Sequence, residues 1–329
     1  MKIVVSGVQP TGNLHIGNYL GSIARWKSFQ DEYNCIFPIA DLHAITTKLP
    51  ERNEFKNNIY KTLAVYLASG LDPKKTIIFQ QSAIPNHTEL FWILSSVVQI
   101  GKLNRMTQFK DKSGKNKEKS SLGLYSYPVL MAADIILYNA NIVPIGEDQL
   151  QHIELTNDIV NSFNYKYDDN IFKTVEPILM RNTRRIMSLR DGTVKMSKSD
   201  ISDMSRINLT DSEEIIRKKI MKAKTDQLDD ITTNLDSRPE INNLLNIFAA
   251  LSGKNNDDIQ KQFNNTGFKQ FKESLADLII ATISPLSKNI KEYYEDKSYL
   301  DNILSEGAAR ASEIADKQTK KVKHIIGMI

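Results

Sequence analysis

The sequence predicts an α/β fold: a parallel sheet with helices on both faces up to about residue 165, then an all-helical part from about 184. Two observations carry this reading. Short β-branched runs alternate with amphipathic stretches in the first half of the chain, and strand-like runs stop in the second half while apolar residues continue to recur at helical spacing. A third observation agrees with them. The polar residues suited to chemistry fall just after the predicted strands, which is the ligand-binding edge of an open parallel sheet.

The first element is Ile3-Val4-Val5, read as a buried strand. It runs into Ser6-Gly-Val-Gln-Pro-Thr-Gly-Asn-Leu-His-Ile-Gly-Asn18 and then into a helix over about 16–30 with Ile16, Leu20 and Ile23 in its apolar pattern. Glycine lets backbone approach a ligand closely, and a helix N-terminus offers unpaired N–H groups, so this turn suits a phosphate. It lacks the Gly-Lys-Ser/Thr ending of a P-loop and is not GxGxxG. Further strands are expected at Ile36 to Ile39, Thr76 to Phe79 and Ile142 to Ile145. Helices are expected at about 53–69, 88–103, 128–139 and 147–163. Asp41 to His43, Gln80 to Ser82 and Gly146 to Gln149 then lie at strand ends. Lys110 to Ser121 breaks the pattern and reads as a lysine-rich surface loop.

In the second half, 212–224 predicts a helix with Arg217, Lys218, Lys219, Lys222 and Lys224. Such a basic face is usually solvated, although near RNA it suits phosphate. Leu244, Leu245, Phe248 and Leu251 share one face of a helix over 240–251 that stops at Gly253. Phe271, Leu275, Leu278 and Ile279 share a face over 268–283, before Pro285, and a last helix covers about 298–325.

The chain has 329 residues, long enough for two domains, with 25% charged and 41% apolar residues and a net charge of +4. Any nucleic-acid partner must therefore be held by local patches. The lone Cys35 lies in an apolar run, so it reads as a buried thiol; an intrachain disulfide and a thiolate zinc cluster are excluded. No apolar run approaches the ~20 residues of a membrane span, and no signal peptide is evident, so no membrane partner and a cytoplasmic location are expected.

His15-Ile-Gly-Asn18 resembles the HIGH signature of class I aminoacyl-tRNA synthetases, and Lys195-Met-Ser-Lys-Ser199 is letter for letter their KMSKS loop. With residues 7–12, Ala40-Asp-Leu-His43, Arg105-Met-Thr-Gln-Phe109, Met131-Ala-Ala-Asp134 and Gly146-Glu-Asp-Gln149, the ordered set resembles the bacterial tryptophanyl-tRNA synthetases along essentially the whole chain. The resemblance implies a Rossmann-like catalytic domain (1–183), a KMSKS loop with a helical anticodon-binding domain (184–287), and a C-terminal helical segment (288–329) packing back towards the catalytic domain. It implies ATP as substrate, magnesium on the phosphates with no protein metal site, L-tryptophan and tRNA(Trp) as partners, and a homodimer.

Residue by residue, the resemblance places Gln9, Pro10, Thr11, His15, Gly17, Asn18, Gly146, Glu147, Asp148, Ile186, Lys195, Met196, Ser197, Lys198 and Ser199 around ATP, with Lys195, Lys198 and Lys112 as the catalytic cations. Activation places a carboxylate oxygen on the α-phosphorus and expels pyrophosphate, so positioning and cations suffice and no nucleophilic side chain is required. The bland readings stand beside these: His15 as a helix cap, Glu147 and Asp148 as first-turn acids complementing a helix dipole, and Ile186 as core. Asn18 replaces the second histidine of the general signature.

Asp134 sits in an apolar helix and needs a partner if buried. An arginine or a helix end would serve structurally. Indole carries one N–H and no acceptor, so a buried acceptor-only group reads it well. An acceptor left unpaired would reject phenylalanine by on the order of 10⁴ to 10⁵, as in comparable hydroxyl-reading sites. By resemblance Asp134 takes the indole N–H, with Tyr127, Met131, His43 and Gln149 around the amino acid; alone, His43 and Tyr127 would read as core. Three alternatives remain open: a tyrosyl-tRNA synthetase-like enzyme, an HxGH nucleotidylyltransferase, which the long helical half argues against, and a catalytically silent tRNA-binding relative.

Overall fold

The computed structural model describes the chain except for residues 109–119, 180–184, 199, 229, 232–234 and 265 and the side chain of residue 236. Strands β1 (Ile3–Val5), β2 (Asn34–Ile39), β3 (Ile77–Gln80), β4 (Ile142–Ile145) and β5 (Glu176–Leu179) form one sheet in the order β3-β2-β1-β4-β5. All of these pairings are parallel, with Val5 opposite Ile36 and Val4 opposite Ile142. The chain winds outward from β1 to β3, then returns to build β4 and β5 on the other side. The strand order therefore reverses between β1 and β4, and the loops leaving these two strands diverge to open a crevice.

The expected strands at 3–5 and 142–145 are found as expected, while β2 begins two residues earlier and β3 is displaced by one. β5 was not expected. It is short, carries Glu176 and Pro177, and lies at the edge of the sheet, where a residue without an N–H leaves no neighbouring strand unpaired.

Among the helices, α1 (Ile16–Asn18) passes through a wide π turn, Tyr19–Ile23, into α2 (Ala24–Glu32). Then come α3 (Asp41–Ala44) and α4 (Arg52–Ala68). The single helix expected over 88–103 is two, α5 (Asn86–Ser95) and α6 (Ile100–Leu103), parted at Ser96-Val97-Val98-Gln99, where the serine and the two β-branched valines are weak helix formers. α7 (Leu122–Ile136) begins well before the expected 128, because the Ser121 hydroxyl accepts from Leu124 N at 3.1 Å and caps it. α8 (Leu150–Tyr167) follows a 3₁₀ turn at Glu147–Gln149.

The helical half comprises α9 (Glu213–Met221), α10 (Pro239–Ser252), α11 (Asn256–Gln262), α12 (Phe268–Glu295) and α13 (Lys297–Ile325). Gly253, at φ 71°, ends α10 as expected. α12 runs through Pro285 instead of stopping before it. Ile283, Leu286 and Ile290 are buried on both sides of that residue, and their burial outweighs the ~3 kcal/mol that an interior proline costs.

Successive strand residues point to opposite faces, so Val4 and Val5 enter different cores. One core joins Val5, Ile36, Phe79, Val143 and Ile145 to α5, α7 and α8. The other joins Val4, Phe37 and Ile78 to Trp26 and Leu63 and continues without a break through Ile216, Leu244, Phe271 and Ile283. α9 to α12 are thus packed on one face of the sheet, whereas α13 reaches both cores, with Leu300 and Ile303 in this one and Ala311, Ala315 and Val322 in the other. α13 then returns along β3: a Cβ on Gly307 would lie 1.8 Å from the Ile78 carbonyl oxygen, and Arg310 Nη1 donates to the Pro73 carbonyl at 2.8 Å.

Of the basic residues on 212–224, Lys219 is buried and bridges Asp203 and Asp211, each at 2.7 Å. Arg217 pairs with Asp277 and Lys224 with Glu240. Three of the five basic residues are therefore already paired within the chain, and only Lys219 is buried.

Candidate active site

The turn after β1 is pinned from behind and in front. Val8 N donates to the Tyr66 hydroxyl at 2.9 Å, and Gly7 meets the Pro38 carbonyl, where a Cβ would lie only 2.6 Å from the oxygen. Gly12 takes φ +61°, a left-handed conformation that glycine adopts without strain. Beyond it the chain is bonded to the segment following the KMSKS loop: Ile16 N donates to the Ile207 carbonyl at 2.8 Å and Leu209 N to the Leu14 carbonyl at 2.9 Å. The two signatures, 180 residues apart in the chain, are thereby neighbours.

His15 is almost fully buried, and its backbone N–H donates to Asn18 Oδ1 at 3.2 Å. Asn18 therefore tethers the helix start, the role open to a residue three positions after a cap. Burial, then the nearby Lys198, Arg206 and Lys195, hold the His15 imidazole down to about 3, so it is neutral. Its Nδ1 has no hydrogen-bond partner among the described residues. Gly17 lies beside it: a Cβ there would come within 3.0 Å of the His15 ring and 3.5 Å of Ile186 Cβ. A side chain at position 17 would therefore press on both the His15 ring and Ile186.

The KMSKS loop leaves a small hairpin in which Ser188 N donates to the Val194 carbonyl and Met196 N to the Ile186 carbonyl. Buried Asn243 on α10 braces it, accepting from Met187 N at 2.8 Å and donating to the Met187 carbonyl at 2.9 Å. Ile186 and Met196 are both buried against the core. Lys198 reaches over the first turn, where its Nζ donates to the Gln9 carbonyl at 3.1 Å, and burial draws its ammonium down to about 8. Lys195 lies 3.6 Å from Asp148 Oδ2. Burial works against the Asp148 charge, but Lys195 and Gln149 Nε2, at 3.2 Å, bring its carboxyl below the ordinary value. Gly146 precedes it closely, since a Cβ there would meet Asp148 Oδ1 at 2.7 Å. Thr11, Glu147 and Ser197 lie at the open rim or are half-buried, and Pro10 is buried. Lys112 and Ser199 lie outside the described residues.

Asp134 is buried at the ends of β2 and β3. Its Oδ1 accepts from Gln81 Nε2 at 2.7 Å and from His87 Nδ1 at 2.6 Å, and its Oδ2 faces His43 Nε2 at 2.7 Å. Burial raises the cost of its charge, yet the two imidazoles hold the carboxyl at about 2. Neither an arginine nor a helix end supplies these partners. His43 also stands edge-on to Tyr127, ring centroids 6.2 Å apart. The Tyr127 hydroxyl meets His152 Nε2 and Gln108 Oε1, each at 2.9 Å, and Gln108 Nε2 donates to the Asp148 carbonyl at 3.1 Å. Burial, then Asp148, pushes the Tyr127 phenol up to about 12, which keeps it a neutral donor. Met131, one turn from both Asp134 and Tyr127 on α7, is partly exposed beside them.

A continuous set of contacts therefore runs from Asp134 through His43, Tyr127, Gln108 and Asp148 to Lys195. Sequence reasoning singled out Asp134, His43, Tyr127, Asp148 and Lys195 but assigned no role to His87, His152 or Gln108. His87 is the second residue of α5, after Pro85 and Asn86, where nothing local separates a core histidine from a site one. Gln81 was placed at a strand end, and that position was the available signal.

The family model described as class I tRNA synthetases (W and Y) matches residues 1–284. The tryptophan–tRNA ligase of Rickettsia conorii is 52% identical over 328 residues, covering 100% of this chain and 99% of that protein. The tryptophan–tRNA ligase of Brucella melitensis biotype 1 is 47% identical, covering 99% and 98%. Among solved structures, tryptophanyl-tRNA synthetase from Mycoplasma pneumoniae has a TM-score of 0.87 at 32% identity, over 99% of this chain and 98% of that one. The enzyme from Campylobacter jejuni complexed with ADP and tryptophan gives 0.82 at 33%, over 99% and 100%. The chain belongs to the class I aminoacyl-tRNA synthetases, in the branch that handles tryptophan and tyrosine. Within that branch, the near-full-length relatives just described are tryptophan–tRNA ligases.

Proposed function

We propose that this chain activates L-tryptophan with ATP to tryptophanyl-adenylate and then transfers the tryptophanyl group to tRNA(Trp), releasing diphosphate and AMP. The observation that carries the reading is the contact path just traced. It joins an acceptor-only carboxylate, suited to a lone ring N–H, to the lysines of the KMSKS loop along one sheet edge.

In the first step a carboxylate oxygen of the amino acid attacks the α-phosphorus of ATP, and the bond to the β-phosphate oxygen breaks. Adenine lies beside His15, Gly17 and Ile186. Ribose hydroxyls meet Gly146, Glu147 and Asp148. The triphosphate lies between the turn of Gln9, Pro10 and Thr11 and the loop Lys195 to Ser199, with Lys112 as a further cation. Lys195 and Lys198 take up the charge that grows on departing diphosphate, which is stabilisation by placed cations. Lys198, held near 8 by burial in the free protein, regains its full affinity for the proton when phosphate oxygens replace the Gln9 carbonyl beside it.

Magnesium would arrive on the phosphates. Among the described residues no group of three or more His, Cys, Asp or Glu is placed to hold a metal ion, and Asp148 is engaged by Lys195. Tyr127, Met131, His43 and Gln149 surround the amino acid. In the second step the terminal ribose of tRNA attacks the adenylate carbonyl. Residues 1–183 act as the catalytic domain, 184–287 meet the anticodon, and 288–329 brace the catalytic domain. The protein works as a cytoplasmic homodimer. No described helix is long and apolar enough to cross a membrane.

ATP–pyrophosphate exchange tests the reading. Exchange is expected with tryptophan and to be at background with tyrosine, whose hydroxyl both donates and accepts. Equal exchange with tyrosine would overturn the choice of substrate, and tRNA binding without any exchange would overturn the enzyme itself.

A further inference from the structure

An ionised carboxylate offers about four lone-pair positions, and among the described residues three of those on Asp134 are engaged. Both on Oδ1 are taken by donors from wholly buried side chains, Gln81 Nε2 and His87 Nδ1. On Oδ2 there is one contact, from His43, which lies at the edge of the crevice beside Tyr127. The two oxygens are therefore unlike: one is closed on all sides and the other keeps a single open position.

His87 is itself held. Its Nε2 lies 2.9 Å from the Tyr138 hydroxyl, and its ring is flanked by Phe79 and Tyr138 at centroid distances of 6.0 and 5.5 Å. Burial, then Asp134, keeps the Tyr138 phenol far above its ordinary value, so it is an O–H donor. With Tyr138 donating to Nε2, the proton on Nδ1 of His87 points at Asp134. Tyr138 and His87 thereby form a one-way relay of donation ending on Oδ1. Gln81 is orientated in the same way: its Oε1 accepts from Leu42 N at 3.2 Å, which turns its Nε2 towards the carboxylate.

We propose that His87 is the positioning residue of the amino-acid site: with Gln81 it saturates Oδ1 and fixes the carboxylate plane, so that Asp134 presents one acceptor, on Oδ2, to the ring N–H of the substrate. This rests on the reading that Asp134 meets the amino acid. His87 does not touch the substrate; it acts through Asp134. Its loss lets the carboxylate rotate or take up a proton, and a protonated acid donates as well as accepts, so it no longer distinguishes a ring N–H from a ring without one.

The test compares L-tryptophan with its benzothiophene analogue, in which sulfur replaces the N–H, by ATP–pyrophosphate exchange on the full chain. The quantity read is the ratio of the two kcat/KM values. The unmodified protein is expected to favour tryptophan strongly. If it exchanges with neither substrate, or with both alike, the assignment of Asp134 to the substrate has failed, and the proposal falls with it. His87→Leu keeps the volume and donates nothing. It is expected to lower the ratio roughly 10- to 100-fold, the effect of one hydrogen bond to a charged group, through the KM for tryptophan with kcat little changed. His87→Asn places an amide N–H near the position of Nδ1 and is expected to recover most of the ratio. Tyr138→Phe releases the relay at its far end and is expected to lower the ratio by about threefold, within the range of one neutral hydrogen bond. An unchanged ratio in His87→Leu, or equal losses on both substrates that Asn does not repair, shows His87 to be only a packed core residue. Should His87→Leu fail to fold, Tyr138→Phe decides alone: an unchanged ratio refutes the relay.

Discussion

Lys198 shows how position changes a residue's chemistry. On an exposed loop its ammonium would stay charged far above neutral pH, but burial over the first turn draws it down to about 8. If the charged form is what holds the phosphates, the KM for ATP should be flat below pH 8 and rise above it, approaching tenfold per unit. Lys198→Arg, whose guanidinium keeps its charge, should remove that rise; exchange rates between pH 6.5 and 9.5 measure both. The sign for stability is also fixed. Between about pH 8 and the ordinary lysine value the folded chain has shed this proton while the unfolded chain retains it, so stability increases with pH across that window. The identity of Lys198 was legible from the KMSKS letters. Its depressed basicity was not, because burial arises from the contact with a turn some 190 positions earlier in the chain. Asp134 repeats the lesson: its isolation among apolar neighbours demanded a partner, but two histidines and a glutamine from three other segments were the answer.

At the scale of elements, the glycine at position 307 decides how α13 meets the sheet. A methyl group there would sit 1.8 Å from the Ile78 carbonyl oxygen, so the helix or β3 must move. Gly307→Ala should cost at least the ~1–3 kcal/mol typical of overpacking, read as a lowered urea midpoint. Gly101→Ala on α6, where nothing lies within 4 Å of the added carbon, should instead leave the midpoint unchanged or raise it by up to ~1 kcal/mol. Equal effects from the two would show that α13 is not held as described. Periodicity located α13 to within a residue, but it carried no sign of this contact. Local rules misled at Pro285 and at β5 for a shared reason. In both places a local rule, that proline ends helices and strands are β-branched, was outweighed by what the segment packs against.

For the whole molecule, the exposed apolar side chains on one helical layer bear on assembly. Trp92 on α5, Ile100 at the start of α6 and Leu122 at the start of α7 are 73%, 69% and 79% exposed, although α5 and α6 both pack on α7. Exposed apolar groups on three helices that pack together suit an interaction surface, and the proposed homodimer would give them a partner. Light scattering should find a mass near twice 37.4 kDa for the natural chain and near 37.4 kDa for Trp92→Asp; an unchanged mass would place the interface elsewhere. Four of the five strands, most of the helices, the signature motifs and the membership of the family were legible in the sequence alone, because period, turn chemistry and motif letters are local properties. The tertiary structure alone decided which oxygen of Asp134 stays open, what proton affinity Lys198 has and how the helical half shares a core with the sheet. Each of these depends on groups far apart in the chain meeting within a few ångströms, where desolvation and hydrogen bonding, rather than residue type, set the chemistry.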